Sequence, residues 1–226
     1  MGVLYVVATP IGNLEDMTQR GLRILKEVDF VLCEDTRHTL QLLNHFGIKK
    51  SLISYHQHSR LQKIDYIIEL LRQGKNLALV SDAGTPAISD PGGVLVAEVV
   101  KQLGAAVQIV PIPGAAAVTT LASVAGLPTD KFVFLGFLPH KKGRQSLFNQ
   151  IKESEQTVIF YESPYRIAKT LESLVDVLEP ERQIVVGREL TKKFETIYRG
   201  NASEVLDKVK NDEIKGEFAV AVARKL

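Results

Sequence analysis

The sequence predicts an α/β fold of two lobes, a mainly parallel N-terminal sheet and a mixed C-terminal sheet, with a cofactor cleft between them. Three observations carry this. Short apolar, β-branched runs alternate with helical periodicities through the first half, the pattern of consecutive βα units. The pattern changes character after Pro111-Ile112-Pro113-Gly114. In the second half, the step from Arg188 through Lys193 into the next strand is too short for a helical crossover, so those two strands are antiparallel neighbours.

Taken in order, the runs at 4–8, 30–33, 52–55, 77–80 and 107–112 read as strands. Helical faces lie between them. Leu22, Leu25 and Val28 share one face of 21–28, and Ile64, Ile67, Ile68 and Leu71 share one face of 61–71. Segments 36–46 and 94–103 read as helices closed by Gly47 and Gly104, residues suited to the position just past a helix C-terminus. The boundary falls at the Ile112–Pro113 step, giving lobes 1–112 and 113–226. In the second lobe a small-residue segment at 115–125 precedes strands at 132–137, 158–161, 184–186, 195–198 and 218–223, with helices at 167–178 and 204–209.

Composition narrows the function. The 226 residues are 45% hydrophobic and carry a net charge of +2, so any nucleic-acid contact must come from local patches rather than bulk charge. The single cysteine, Cys33, allows no internal disulfide and fits a reducing, cytoplasmic setting. No apolar run approaches the roughly 20 residues of a membrane span. The first strand leads into Ala8-Thr9-Pro10-Ile11-Gly12-Asn13 rather than a G-x-G-x-x-G loop, which argues against a Rossmann dinucleotide site. P-loop, H-E-x-x-H and G-x-S-x-G patterns are absent as well. His56 and His58 would share one face of an extended segment, but a solvated strand end explains them better than a metal site, and no metal is expected.

What remains is a set of strand ends with unusual loops. The longest, Ser81-Asp82-Ala83-Gly84-Thr85-Pro86-Ala87-Ile88-Ser89-Asp90-Pro91-Gly92-Gly93, combines small residues that permit close backbone approach with prolines that hold the path. Asp82 and Asp90 are expected to brace it. The others are the loop at 9–18, where Thr18 can cap the next helix; Glu34-Asp35-Thr36-Arg37; Pro113-Gly114-Ala115-Ala116-Ala117; Tyr161-Glu162-Ser163-Pro164; and Arg188-Glu189-Leu190-Thr191-Lys192-Lys193. Ligands in open α/β sheets bind at the carboxyl ends of strands, so six such ends point to a shared cleft.

These segments, together with Gly216-Glu217-Phe218, run in order along the whole chain. On them the sequence resembles the tetrapyrrole-methylase-type (class III) S-adenosylmethionine-dependent methyltransferases, and within those the ribosomal RNA small subunit methyltransferase I group. The resemblance implies a tetrapyrrole-methylase-like fold that methylates the 2′-oxygen of a cytidine ribose (cytidine 1402) in the decoding region of 16S rRNA in the 30S ribosomal subunit. It implies S-adenosylmethionine as cofactor, held by Pro10, Ile11, Gly84, Thr85, Ile88, Ala116, Ala117, Tyr161, Gly187, Arg188 and Glu217, and a homodimer.

The transfer needs alignment of nucleophile, carbon and sulfur, and a base for the hydroxyl proton. Asp35, Glu189 and Lys193 are the candidates for that base. Arg37, Lys141, Lys142, Arg144 and Lys192 are the candidates for RNA contact. Structural alternatives stand beside these readings: Asp35 with Arg37 as an ion pair, and Ala116 with Ala117 as a close-packing pair. Members of the group usually continue past the last sheet strand with a small additional domain, whereas this sequence stops at Arg224-Lys225-Leu226. A tetrapyrrole C-methyltransferase and a non-catalytic RNA- or cofactor-binding module are the rival functions.

Overall fold

The structure, a computed structural model, describes residues 1–55 and 61–225. His56 and His58 lie outside the described residues. Two compact units are present, Met1–Ala116 and Ala117–Leu226. The expected division at 112/113 sits slightly earlier, where the last strand of the first sheet ends.

The N-terminal unit strictly alternates strand and helix. Its strands are β1 (Val3–Val7), β2 (Phe30–Cys33), β3 (Ser51–Ser54), β4 (Leu77–Leu79) and β5 (Gln108–Ile112). Between them lie α1 (Gln19–Glu27), α2 (Thr36–His45), α3 (Leu61–Arg72) and α4 (Gly92–Leu103). All pairings are parallel, in the order β3-β2-β4-β1-β5. The period-2 alternation of the strands divides the core into two layers. Val31, Cys33, Ala78 and Val80 meet Ile24 and Leu25 of α1 and Leu43 of α2. Leu4, Leu32, Leu77 and Leu79 meet Ile67, Ile68 and Leu71 of α3 and Leu95 and Val99 of α4. Right-handed crossovers produce this division, because α1 and α2 follow steps toward one sheet edge and α3 and α4 follow steps toward the other. A wholly parallel sheet has all its strand carboxyl ends on one edge, so the loops after β1, β2, β4 and β5 are neighbours there.

The C-terminal unit contains α5 (Ala117–Val124), β6 (Phe132–Phe137), α6 (Arg144–Glu153), β7 (Thr157–Glu162), α7 (Ile167–Val177), β8 (Gln183–Arg188), β9 (Thr196–Asn201), α8 (Ala202–Lys210) and β10 (Phe218–Val222). Its sheet runs β6-β7-β10-β8-β9. Only β6 and β7 pair in parallel; β8 and β9 are antiparallel, as the short step between them requires. One core joins α6, α7 and α8 to a single sheet face through Phe148, Leu171, Leu174, Val205, Phe160, Val186 and Val220. Helix α5 lies against β7 and β10. Sequence reading did not anticipate α6, because Phe148 and Ile151 are its only buried residues and the segment reads as polar. Helix α8 starts earlier than expected because Asn201 and Glu204 form a reciprocal capping box.

The wholly buried Arg182 closes the far end of this unit. Its guanidinium donates to the carbonyl oxygens of Ile151 (2.9 Å), Lys152 and Ala223 (2.8 Å), joining the last turn of α6 to the end of β10. Among the described residues no helix is long and apolar enough to cross a membrane.

Candidate functional site

The loops after β1 and β4 are laced together. Thr9 and Gly84 exchange both backbone hydrogen bonds (2.9 and 3.1 Å), and the Thr9 hydroxyl donates to the Ser81 carbonyl at 3.2 Å. Gly84 has φ of +82°, and a Cβ there would stand 3.2 Å from Ile11 Cγ2. Glycine is therefore needed both for its backbone angle and for the close approach of Ile11. The amide of Gly84 is engaged by Thr9, so its part at this edge is to shape the loop. Pro10 and Ile11 are buried beneath it, while the Ile88 side chain is 41% exposed at the loop crest. Thr85 donates to the Ala115 carbonyl at 3.0 Å, tying the β4 loop to the segment that carries Ala116. Asp90 Oδ1 accepts from the amides of Ala87 (2.8 Å) and Gly92 (2.7 Å), the bracing expected of it. Between these bonds Ala87 and Ser89 are held at φ of +73° and +67°, conformations that non-glycine residues keep only where surrounding contacts impose them.

Asp82 braces across the edge instead, accepting the Asp35 amide at 3.1 Å. Asp35 caps α2 through the Arg37 amide (2.8 Å), and its carboxylate pairs with the Arg37 guanidinium at 2.7 Å. Arg37, through its side chain and its amide, holds the Asp35 carboxyl well below the usual carboxylate range. A carboxylate so held is a weak proton acceptor. Its neighbour Glu34 behaves oppositely: burial, reinforced by the negative charges of Asp90 and Asp82, pushes its carboxyl from 4.5 up to about 7. A carboxyl poised there can exchange a proton near neutral pH. Sequence reading passed over Glu34 because its environment comes from Asp82 and Asp90, more than forty residues away along the chain. The signal was three carboxylates at adjoining strand ends.

In the C-terminal unit the Tyr161 hydroxyl accepts the Val118 amide of α5 at 2.9 Å, and its ring meets Phe134 and Phe137 edge-on. The start of α5, with Ala117, is thus set by Tyr161. Gly187 is required by packing, since a Cβ would lie 2.8 Å from Leu190 and 3.1 Å from Leu121 of α5. Arg188 is buried and turned toward the 212–215 turn, donating to the Lys215 carbonyl (3.1 Å) and pairing with Asp212 (3.1 Å).

The two segments Arg188–Lys193 and Gly216–Phe218 clasp each other. The Glu189 amide donates to the Glu217 carbonyl, and the Glu217 amide donates back to the Glu189 carboxylate, both at 2.9 Å. Lys192 closes the clasp on Glu189 (2.9 Å) and Glu217 (3.0 Å). Burial pushes the Glu189 carboxyl up, but Lys192 and the Glu217 amide outweigh it and leave it below the ordinary range. Burial likewise lowers Lys192, and its two carboxylate partners more than reverse this. Glu189 and Thr191 hold φ of +51° and +65° to make the turn. Three residues expected in separate roles (Glu189 as base, Lys192 toward RNA, Glu217 toward the cofactor) therefore form one ionic clasp. Lys193 points elsewhere, its ammonium 5.5 Å from the centre of the exposed Phe194 ring.

Lys141 and Lys142 are exposed on the loop between β6 and α6. Arg144, expected beside them in RNA contact, turns inward, donating to the Pro139 carbonyl at 3.1 Å and the Thr170 hydroxyl at 2.6 Å. Adjacency in sequence suggested one basic patch; the first turn of α6 rotates Arg144 away from it.

Residues 3–206 match the family model of the tetrapyrrole (corrin/porphyrin) methylases. A protein of Escherichia coli O157:H7 named ribosomal RNA small subunit methyltransferase I is 48% identical over 224 residues, covering 98% of this chain and 77% of the relative. Its namesake in Halalkalibacterium halodurans is 47% identical over 222 residues, covering 98% and 75%. The fold also matches uroporphyrin-III C-methyltransferase of Thermus thermophilus, solved in complex with S-adenosylhomocysteine (TM-score 0.65, 19% identity, 97% of each chain covered). The chain belongs to the tetrapyrrole methylase family, in the branch whose curated members are named ribosomal RNA small subunit methyltransferase I.

Proposed function

We propose that this protein is an S-adenosylmethionine-dependent 2′-O-methyltransferase acting on a cytidine ribose in the decoding region of 16S rRNA. The observation that carries the reading is near-full-length identity of 48% and 47% to relatives named for small-subunit rRNA methylation. Fold neighbours that act on tetrapyrroles share the architecture alone.

The residues present fit the methyl donor. The edge of the N-terminal sheet offers small and apolar groups, Gly84, Ile11 and Ile88, beside the carboxylates Glu34, Asp82 and Asp90, which suit a ligand carrying sulfonium and ammonium charges. When bound, the donor supplies a methyl group already activated by its sulfonium sulfur. In the N-terminal unit the proposed contacts are Pro10, Ile11, Gly84, Thr85, Ile88 and Ala116. In the C-terminal unit they are Ala117, Tyr161, Gly187, Arg188 and Glu217, with Gly187, Arg188 and Glu217 acting through the packing and the clasp already described. The protein's task is then to orient the ribose hydroxyl and receive its proton. Asp35 and Glu189 are held in ion pairs, which leaves Glu34 as the group whose replacement should reshape the pH profile of kcat, and Lys193 as a second candidate whose replacement should lower kcat. Lys141 and Lys142 are proposed to meet rRNA phosphates, with Arg37 in support.

The test is transfer of labelled methyl groups to purified 30S subunits, to free 16S rRNA and to a tetrapyrrole acceptor, with mapping of the product. Label at a cytidine 2′-oxygen supports the proposal. Label in the tetrapyrrole alone, or donor binding with no transfer to any acceptor, refutes it. Affinity for 30S subunits should also fall steeply with salt, as phosphate contacts demand.

A further inference from the structure

One buried cluster of charged groups, at the end of β7, has no part in the mechanism above. Glu162, the last residue of β7, is 1% exposed. A buried carboxylate is tolerated only when paired and hydrogen-bonded on both oxygens, and Glu162 meets that condition. Oε1 pairs with the Arg166 guanidinium (2.7 Å) and accepts from the Ser163 amide (2.8 Å). Oε2 accepts from the Thr170 hydroxyl (2.7 Å) and faces Arg144 at 3.6 Å. Both guanidiniums then reach onward to the same short stretch of backbone. Arg166 donates to the Leu138 carbonyl at 2.9 Å, and Arg144 donates to the Pro139 carbonyl at 3.1 Å.

These two carbonyls open the loop between β6 and α6, and Arg144 is the residue that closes it. The loop is therefore held at both ends by one buried carboxylate acting through two arginines. Everything between the held ends is exposed: His140, Lys141, Lys142 and Gly143. A loop of long, mobile cations loses affinity to the entropy of ordering, and a rigid base reduces that cost.

We infer that Glu162 is a positioning residue whose buried carboxylate presents the His140–Lys142 loop to a polyanionic surface, the small-subunit rRNA. The inference rests on the reading that Lys141 and Lys142 meet rRNA. Glu162 touches neither substrate nor reacting atoms; it acts through Arg144 and Arg166 on the loop backbone.

The test measures methyl transfer to 30S subunits for wild type, Glu162→Gln, Thr170→Val, Lys141→Ala/Lys142→Ala, and the triple combinations. S-adenosylhomocysteine affinity by calorimetry and thermal unfolding by circular dichroism accompany each. Glu162→Gln should raise KM for 30S about tenfold with kcat within about twofold and S-adenosylhomocysteine affinity unchanged. In the Lys141→Ala/Lys142→Ala background the same substitution should add less than about twofold, because the loop then has little left to present. Thr170→Val, which removes the hydroxyl that joins Glu162 to Arg144 and also meets the Arg166 carbonyl, should shift KM in the same direction and carries the test if Glu162→Gln does not fold. An unchanged KM in folded variants overturns the inference, as does a KM effect of equal size in the lysine-free background. If the double lysine variant itself leaves KM unchanged, the rRNA-contact reading has failed and the inference falls with it.

Discussion

Replacing Glu34 by glutamine should alter how stability depends on pH, and the structure sets both sign and size. Burial, with Asp90 and Asp82 nearby, raises the Glu34 carboxyl from 4.5 to about 7 in the folded protein. Between those values the folded state holds a proton that the unfolded chain has released, so stability falls as pH rises through that window. Each pH unit is about 1.36 kcal/mol, which bounds the effect at about 3.4 kcal/mol. Glu34 is only half-buried, and solvent screening reduces this to about 1–2 kcal/mol. Glutamine mimics the protonated form and lacks the titration. Urea denaturation followed by circular dichroism, run for both proteins at pH 5 and pH 8, should show Glu34→Gln gaining about 1–2 kcal/mol on wild type across that interval. Comparing the proteins at each pH cancels the other titrating groups. A flat difference, or one that shrinks as pH rises, would refute the argument; Asp90→Asn in the wild-type background should lower the Glu34 transition.

Three further outcomes follow from local geometry. Arg182→Met leaves the carbonyls of Ile151, Lys152 and Ala223 without their charged donor and should cost about 3–5 kcal/mol in chemical denaturation; a loss under about 1 kcal/mol would mean that water replaces the guanidinium. Gly216→Ala places a methyl group 2.4 Å from the Glu189 carboxyl carbon at a φ of +90°, so it should cost about 1–3 kcal/mol and weaken S-adenosylhomocysteine binding measured by calorimetry. Tyr161→Phe deprives the Val118 amide of its acceptor and should destabilise by about 1–3 kcal/mol, with a parallel loss of S-adenosylhomocysteine affinity if the start of α5 meets the cofactor.

The family was legible in the sequence because its motifs are runs of consecutive residues, and near-full-length matches to relatives of 48% and 47% identity agree with that reading. Secondary structure was legible where burial imposes a period. The 3.6-residue spacing of Ile64, Ile67, Ile68 and Leu71 and the alternation along β2 and β4 follow from which face meets the core. Helix α6 was missed for the converse reason, since its buried face is too narrow to stand out. Thr18 as a cap, Asp90 as a brace and the Asp35–Arg37 pair were also within reach, because each bond spans a few residues.

What the sequence by itself determined, then, is what depends on neighbours in the chain: strand and helix order, the glycine-closed helices, the caps and the motif-borne kinship. Tertiary structure alone decided the state of each ionisable side chain. Glu34 is raised by Asp82 and Asp90, Glu189 is held by Lys192 and Glu217, and Arg144 is turned onto Thr170 and Glu162 rather than outward with Lys141. The free energy of a charge depends on burial and on opposite charges within a few ångströms, and folding draws those neighbours from segments far apart in sequence.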